Sequence, residues 1–297
     1  MVMVGSLHEV IKMRIDTFEY KDKKLLFWED GDNSTSVKEH MHKNNVTGIV
    51  FSRYLGFQGK AVAIHEDFKF VDEVHIIDSN IEDISFIYAF DNTRILNIQN
   101  DDRTKIDFRN FVNLQDLFLT WRKGVMNLFD KKSLLTLRLE RFKEKSLDVG
   151  TGMPLRELWI SSSPVENLSS LAGLKKLEVL RLSSLRCLEE TSWIQGLTGL
   201  KELMISSCKK VAGTILDEVT ALHLLEKLFF AKMGAFPSLS PVQRLKRLEI
   251  IGFIENSMVS DGNLAPLLEL PNLKSLSMQG FSHYNPSVDD VIKHLQI

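Results

Sequence analysis

Apolar residues recur along this chain as apolar-x-x-apolar-x-apolar. The eleven copies begin at Val46, Val71, Thr93, Leu114, Leu134, Leu155, Leu177, Leu200, Leu225, Leu245 and Leu273, at spacings of 20 to 28 residues. A unit that short has a single apolar face and buries it only against its neighbours, so the pattern predicts a solenoid rather than a set of closed subdomains. Within a unit the beat changes. Val165, Leu168, Leu171 and Leu174 keep the i, i+3 spacing of a helix or 3₁₀ turn, whereas Leu177, Leu180 and Leu182 end in the alternation of a strand. The same register fits Ile106, Phe108, Phe111, Leu114, Leu117 and Leu119, and again Leu264, Leu267, Leu270, Leu273, Leu276 and Met278.

At these residues the chain resembles the leucine-rich repeat family, most closely the subclass with repeats of about 22 residues. The resemblance covers roughly Asn45 to Gly280. It implies an α/β solenoid, with a curved parallel sheet on the concave side and short helices or 3₁₀ turns on the convex side. The family consensus has Asn or Cys three residues after the last strand apolar, where it bonds backbone in a buried ladder. Here those positions hold Tyr54, Ser79, Asp101, Arg122, Phe142, Ser163, Leu185, Cys208, Met233, Phe253 and Phe281, and Cys208 alone matches. The expectation is therefore that backbone and water satisfy the turns, and that the solenoid is irregular and variably curved.

Three segments follow from the pattern: an N-terminal cap over 1–45, the repeat array over 46–280 and a C-terminal capping helix over 281–297. The cap carries two capping-box patterns, Ser6-x-x-Glu9 and Ser36-x-x-Glu39. Between them, Arg14 to Tyr20 and Lys24 to Asp30 read as a hairpin. Pro286 and Ser287 open the last helix, Val288 to Gln296, whose Val291, Ile292 and Leu295 can cover the final strand.

A repeat array grows linearly, so 297 residues need not divide into two globular domains. The formal charge of -2 argues for neither nucleic acid nor membrane, and no apolar run approaches membrane-span length. Two cysteines, Cys187 and Cys208, and a start without a basic stretch and long apolar run predict a reduced, cytoplasmic protein. Catalytic and cofactor patterns fail on spacing. His40 and His42 are two apart and point to different sides of a helix. Gly56-Phe-Gln-Gly59-Lys60 lacks the gap and following hydroxyl of a phosphate loop. Asp30-Gly-Asp32-Asn33 lacks the oxygen spacing and closing Glu of a calcium loop. Turn chemistry explains each, and Cys208 reads as buried and inert. The expectation is a non-enzyme with no cofactor and no metal.

The informative surface is the sheet face opposite the core. Alternation places there Val50, His75, Asn97, Phe118, Arg138, Trp159, Arg181, Met204, Phe229, Glu249 and Ser277. Phe118, Arg138, Trp159, Arg181, Met204 and Phe229 form a stripe rich in interface-type residues, in which Arg138 and Arg181 can also stack on Trp159. A neighbouring column carries Glu73, Asp116, Glu157 and Glu202. Residues 66–116 hold twelve acidic and five basic residues, and 121–145 hold eight basic and three acidic. Separated charge blocks favour a partner of matching pattern. The sequence thus predicts a protein-binding module whose partner-binding residues are the stripe together with Asp116, Glu157 and Glu202. Family resemblance suggests an immunity protein that neutralises a basic toxin. The alternatives are a regulatory subunit holding an enzyme such as a phosphatase, and an enzyme with an unrecognised site in residues 1–65.

Overall fold

The computed structural model describes residues 25–100, 102–150 and 152–296. The first box pattern, Ser6 to Glu9, the first strand of the expected hairpin and Asp101 lie outside them. The chain divides into two compact units. The first comprises residues up to Leu114 together with Arg122–Met126, and the second comprises Gln115–Trp121 and Asn127 onwards.

In the first unit four parallel strands pair in chain order: β1 (Leu25–Phe27), β2 (Gly48–Ser52), β3 (Glu73–Ile77) and β4 (Ile95–Ile98). Within the second strand expected of the hairpin, β1 pairs parallel with β2 and joins the sheet as a repeat strand would. Helix α1 (Ser34–Asn44) links them and buries Val37 and Met41, four apart on one face. Its N-cap is Asn33, whose Oδ1 accepts from Ser36 N at 3.0 Å, so the helix begins earlier than the second box pattern implied. Asp30 accepts from the backbone N–H groups of Gln58 and Gly59, so the two loop motifs meet in a turn contact. His40 and His42 are exposed, and His42 stacks on Phe70 with centroids 4.0 Å apart.

In the second unit eight parallel strands pair in order: β5 (Asp116–Thr120), β6 (Thr136–Glu140), β7 (Glu157–Ser161), β8 (Val179–Ser183), β9 (Glu202–Ser206), β10 (Lys227–Ala231), β11 (Ile250–Ile254) and β12 (Ser275–Met278). Between strands run 3₁₀ turns and the short helices α2 (Ile215–Glu218) and α3 (Ala265–Leu268), and α4 (Val288–Leu295) packs on α3. A Ser287–Asp290 capping box opens α4 where expected. Leu158 with Ile160, Leu180 with Leu182 and Leu203 with Ile205 point inward and are buried. One repeat is framed differently. The inward pair of β11 is Ile251 and Phe253, not Leu248 and Ile250, so the copy assigned to Leu245 begins at Leu248. Its spacings to Leu225 and Leu273 become 23 and 25 residues, inside the range of the other repeats.

The turns are more regular than expected. The residue two positions after the second inward apolar is left-handed at Arg141, Ser162, Ser184, Ser207, Lys232 and Glu255. The N–H of Arg141, Ser162, Ser184 and Ser207 donates to the last residue of the following strand, at 2.8 to 3.0 Å. A side-chain ladder runs alongside it. Leu185 N donates to Cys208 Sγ, Cys208 N to Met233 Sδ and Met233 N to Ser257 Oγ, at 3.4, 3.4 and 3.2 Å. Cys208 Sγ also donates to Ser206 O at 3.3 Å. In the first unit buried Arg122 fills the equivalent position, its guanidinium donating to the backbone oxygen and Oδ1 of Asn100 and pairing with Asp102. Side chains other than Asn thus satisfy turns that sequence assigned to backbone and water.

Two outcomes test this packing. Leu180→Ala is expected to lower unfolding free energy by about 2 to 5 kcal/mol in urea titration, as deletion of buried methyl groups does. Burial pushes the Cys208 thiol up to about 11, so it stays protonated at neutral pH. An aromatic disulfide reagent is expected to titrate Cys187 rapidly in the folded protein and Cys208 only after denaturation; equal native rates would contradict the ladder.

Candidate functional site

The stripe forms as a column because the parallel strands stack without shift. Phe118 is opposite Arg138, Arg138 opposite Trp159, Trp159 opposite Arg181, Arg181 opposite Met204 and Met204 opposite Phe229. The column continues through Gly252 to Ser277; Glu249, named from sequence, precedes β11 and is not in it. Phe229 leans over Gly252, where a Cβ would lie 2.7 Å from the ring.

Trp159 is the centre of the stripe. The Arg138 guanidinium lies 4.0 Å from its ring centroid and the Arg181 guanidinium 4.2 Å, so one indole is stacked between two cations. Arg181 is fixed from its other edge by Glu202, with Nε 3.0 Å from Oε1, and Lys227 approaches the same carboxylate at 3.8 Å. The Trp159 indole N–H has no acceptor among the described residues.

Accessibility divides the named residues. Arg181, Met204 and Glu202 are buried at 9, 7 and 8% exposure, whereas Phe118, Arg138, Trp159, Phe229, Asp116 and Glu157 are partly exposed. Asp116 and Glu157 lie in one column with Thr136 between them. A third column, Thr120, Glu140, Ser161, Ser183 and Ser206, borders the stripe on its other side and was not singled out from sequence. Its signal was available in the alternation, two residues beyond each stripe position. In the first unit the corresponding positions Val50, His75 and Asn97 are buried. There Asn97 donates to His75 Nδ1 at 3.3 Å and His75 Nε2 bonds Glu73 Oε1 at 2.8 Å, consistent with an Nε2–H imidazole.

No family model and no curated protein sequence matches the chain. Among solved structures, an internalin (InlF) of Listeria monocytogenes is similar with a TM-score of 0.50 at 15% identity, covering 81% of this chain and 84% of its own. The chain has the leucine-rich repeat fold. Internalin C2 of the same organism matches at TM-score 0.39 and 23% identity, over 56% of this chain and 71% of its own. The functional domain of its InlJ matches at 0.45 and 14%, over 77% and 57% respectively. At these identities the likeness is one of fold, so function has to be argued from the residues on the repeats. Among the described residues no group of His, Cys, Asp and Glu could hold a metal ion, and no helix is long and apolar enough to cross a membrane.

Arg181→Ala is expected to destabilise the protein by about 3 kcal/mol or more, because it removes a buried ion-pair partner as well as one face of the indole stack. Chemical denaturation followed by circular dichroism measures this; an unchanged midpoint would mean that the pair does not hold the stripe.

Proposed function

We propose that this leucine-rich repeat protein is a non-catalytic binding module that holds a protein partner on the sheet face of its second unit. The observation that carries the reading is the partly exposed run Phe118, Arg138 and Trp159, in register on three adjacent strands and edged by Asp116 and Glu157. Aromatic residues and arginine dominate interface energetics, and a large aromatic left half open on a rigid sheet offers a partner apolar area at little entropic cost. The buried members of the stripe then have a supporting part: Arg181 and Glu202 orient Trp159 rather than touch the partner. The reading places the protein in a reducing compartment such as the cytoplasm, supported by two free thiols of which one is a rung of the turn ladder.

Within this class the finer readings are an immunity protein opposing a basic toxin and a regulatory subunit of an enzyme. Support for the first is the acidic block of residues 66–116. Much of that block is already engaged, since Glu66, Asp67, Asp72, Glu82, Asp102 and Asp107 each pair with a lysine or arginine. Local pairing shortens the reach of its field, so the stripe outranks net charge as the recognition element.

Trp159→Ala and Arg138→Ala are each expected to weaken partner binding by about 2 kcal/mol or more, roughly a thirtyfold rise in Kd. A photo-crosslinking amino acid at Phe118 is expected to capture the partner, and one at exposed Lys175 to miss it. Capture from Lys175 alone, or unaltered affinity in both alanine variants, would remove the sheet face from consideration. The captured partner's charge and activity then separate the toxin from the enzyme.

A further inference from the structure

In the turns that follow the strands of the second unit, successive repeats form a cleft of about 660 Å³. Arg186, Lys209, Lys210 and Lys232 line it, with Glu255 as the opposing acid. The four cations are not equivalent. Lys210 reaches Glu189 at 2.5 Å and Lys232 reaches Glu255 at 2.8 Å, whereas Arg186 and Lys209 are exposed and enter no ion pair among the described residues. Two uncompensated cations therefore sit in adjacent turns, flanked by two that are held only by exposed pairs. Such surface pairs contribute little to stability, so a better-placed carboxylate can replace Glu189 or Glu255 at small cost.

We propose that this cleft binds an extended, carboxylate-rich segment of a polypeptide, at a surface separate from the aromatic stripe. Spacing favours a chain over a single anion. Arg186 and Lys209 hold the same place in consecutive turns, about 4.8 Å apart per strand, and Lys232 stands two residues earlier in the third. Four cations lining a cleft of this volume offer more positive charge than one carboxylate neutralises, whereas acidic side chains on alternate residues of an extended peptide, about 7 Å apart, can pair with several of them. The guanidinium of Arg186 suits a planar carboxylate in two-point contact. Glu189 and Glu255 add negative charge at the cleft that repels the closely spaced charges of a phosphodiester backbone.

The test is fluorescence anisotropy on the full chain with a labelled decapeptide of alternating Glu and Ser. An alternating Gln and Ser decapeptide and a ten-residue oligothymidylate serve as comparisons. Saturable binding of the acidic peptide is expected at low salt, weakened severalfold by physiological salt. Arg186→Gln with Lys209→Gln is expected to raise its Kd by about tenfold or more, while Lys209→Arg, which keeps both charges and the Arg186 guanidinium, stays within about threefold. Circular dichroism melting controls for folding of both variants. The proposal is overturned if the Gln variant binds like wild type, if the Gln and Ser peptide binds equally, if nothing binds, or if the oligothymidylate binds more tightly. The last result would make the cleft a phosphate track. Loss of the aromatic stripe by Trp159→Ala is expected to leave this peptide binding unchanged, so the two surfaces fail independently.

Discussion

Everything on the sheet face depends on parallel strands stacking without a shift in register, and that depends on the turn that ends each strand. Arg141, Ser162, Ser184, Ser207, Lys232 and Glu255 all adopt the left-handed conformation at the same place in their repeats. For an L-residue this conformation costs about 1 to 2 kcal/mol. The cost is offset where the N–H of the turned residue reaches the end of the next strand, as it does from Arg141, Ser162, Ser184 and Ser207. Each turn is thus completed by its neighbour, as each apolar face is. With the turn fixed, Arg138 must lie beside Trp159 and Trp159 beside Arg181, whatever their side chains prefer.

The strands were legible because their inward positions alternate with little ambiguity. Leu158 and Ile160, Leu180 and Leu182, or Leu203 and Ile205 leave no other frame. The repeat at Leu245 went astray where that condition fails. Ile250 and Ile251 are adjacent, so Leu245, Leu248 and Ile250 satisfy the template as well as Leu248, Ile251 and Phe253 do. Packing chooses the second frame because it sets Ile251 and Phe253 opposite Leu228 and Phe230. β1 was legible as a strand, within Lys24 to Asp30, but not as a member of the parallel sheet: Leu25–Phe27 is too short to carry the six-residue pattern, and pairing with β2 gives it that place.

Turn chemistry was less legible than strand position, since several side chains can supply one acceptor. A sulfur atom from Cys208, another from Met233 and a hydroxyl from Ser257 receive successive backbone N–H groups. In the first unit a guanidinium does the reverse and donates to Asn100. A consensus of Asn or Cys detects one of these devices. The physical requirement, that a buried backbone donor or acceptor finds a partner, accounts for all of them.

The Arg–Trp–Arg stack was legible as a column, yet its energetic meaning changes with the third dimension. From sequence, mutual stacking and partner binding are competing uses of the same side chains. In the structure the side chains of the stripe divide by burial. Arg181, buried and tied to Glu202, belongs to the protein's own packing, while Arg138 and Trp159 keep part of their surface open beside Phe118. A stacked cation contributes about 0.5 to 2 kcal/mol and restricts the indole before any partner arrives. Less side-chain entropy is then lost on association. On the proposed binding reading, internal stacking prepares the face, and the same contact that makes Trp159 look structurally satisfied makes it a rigid anchor.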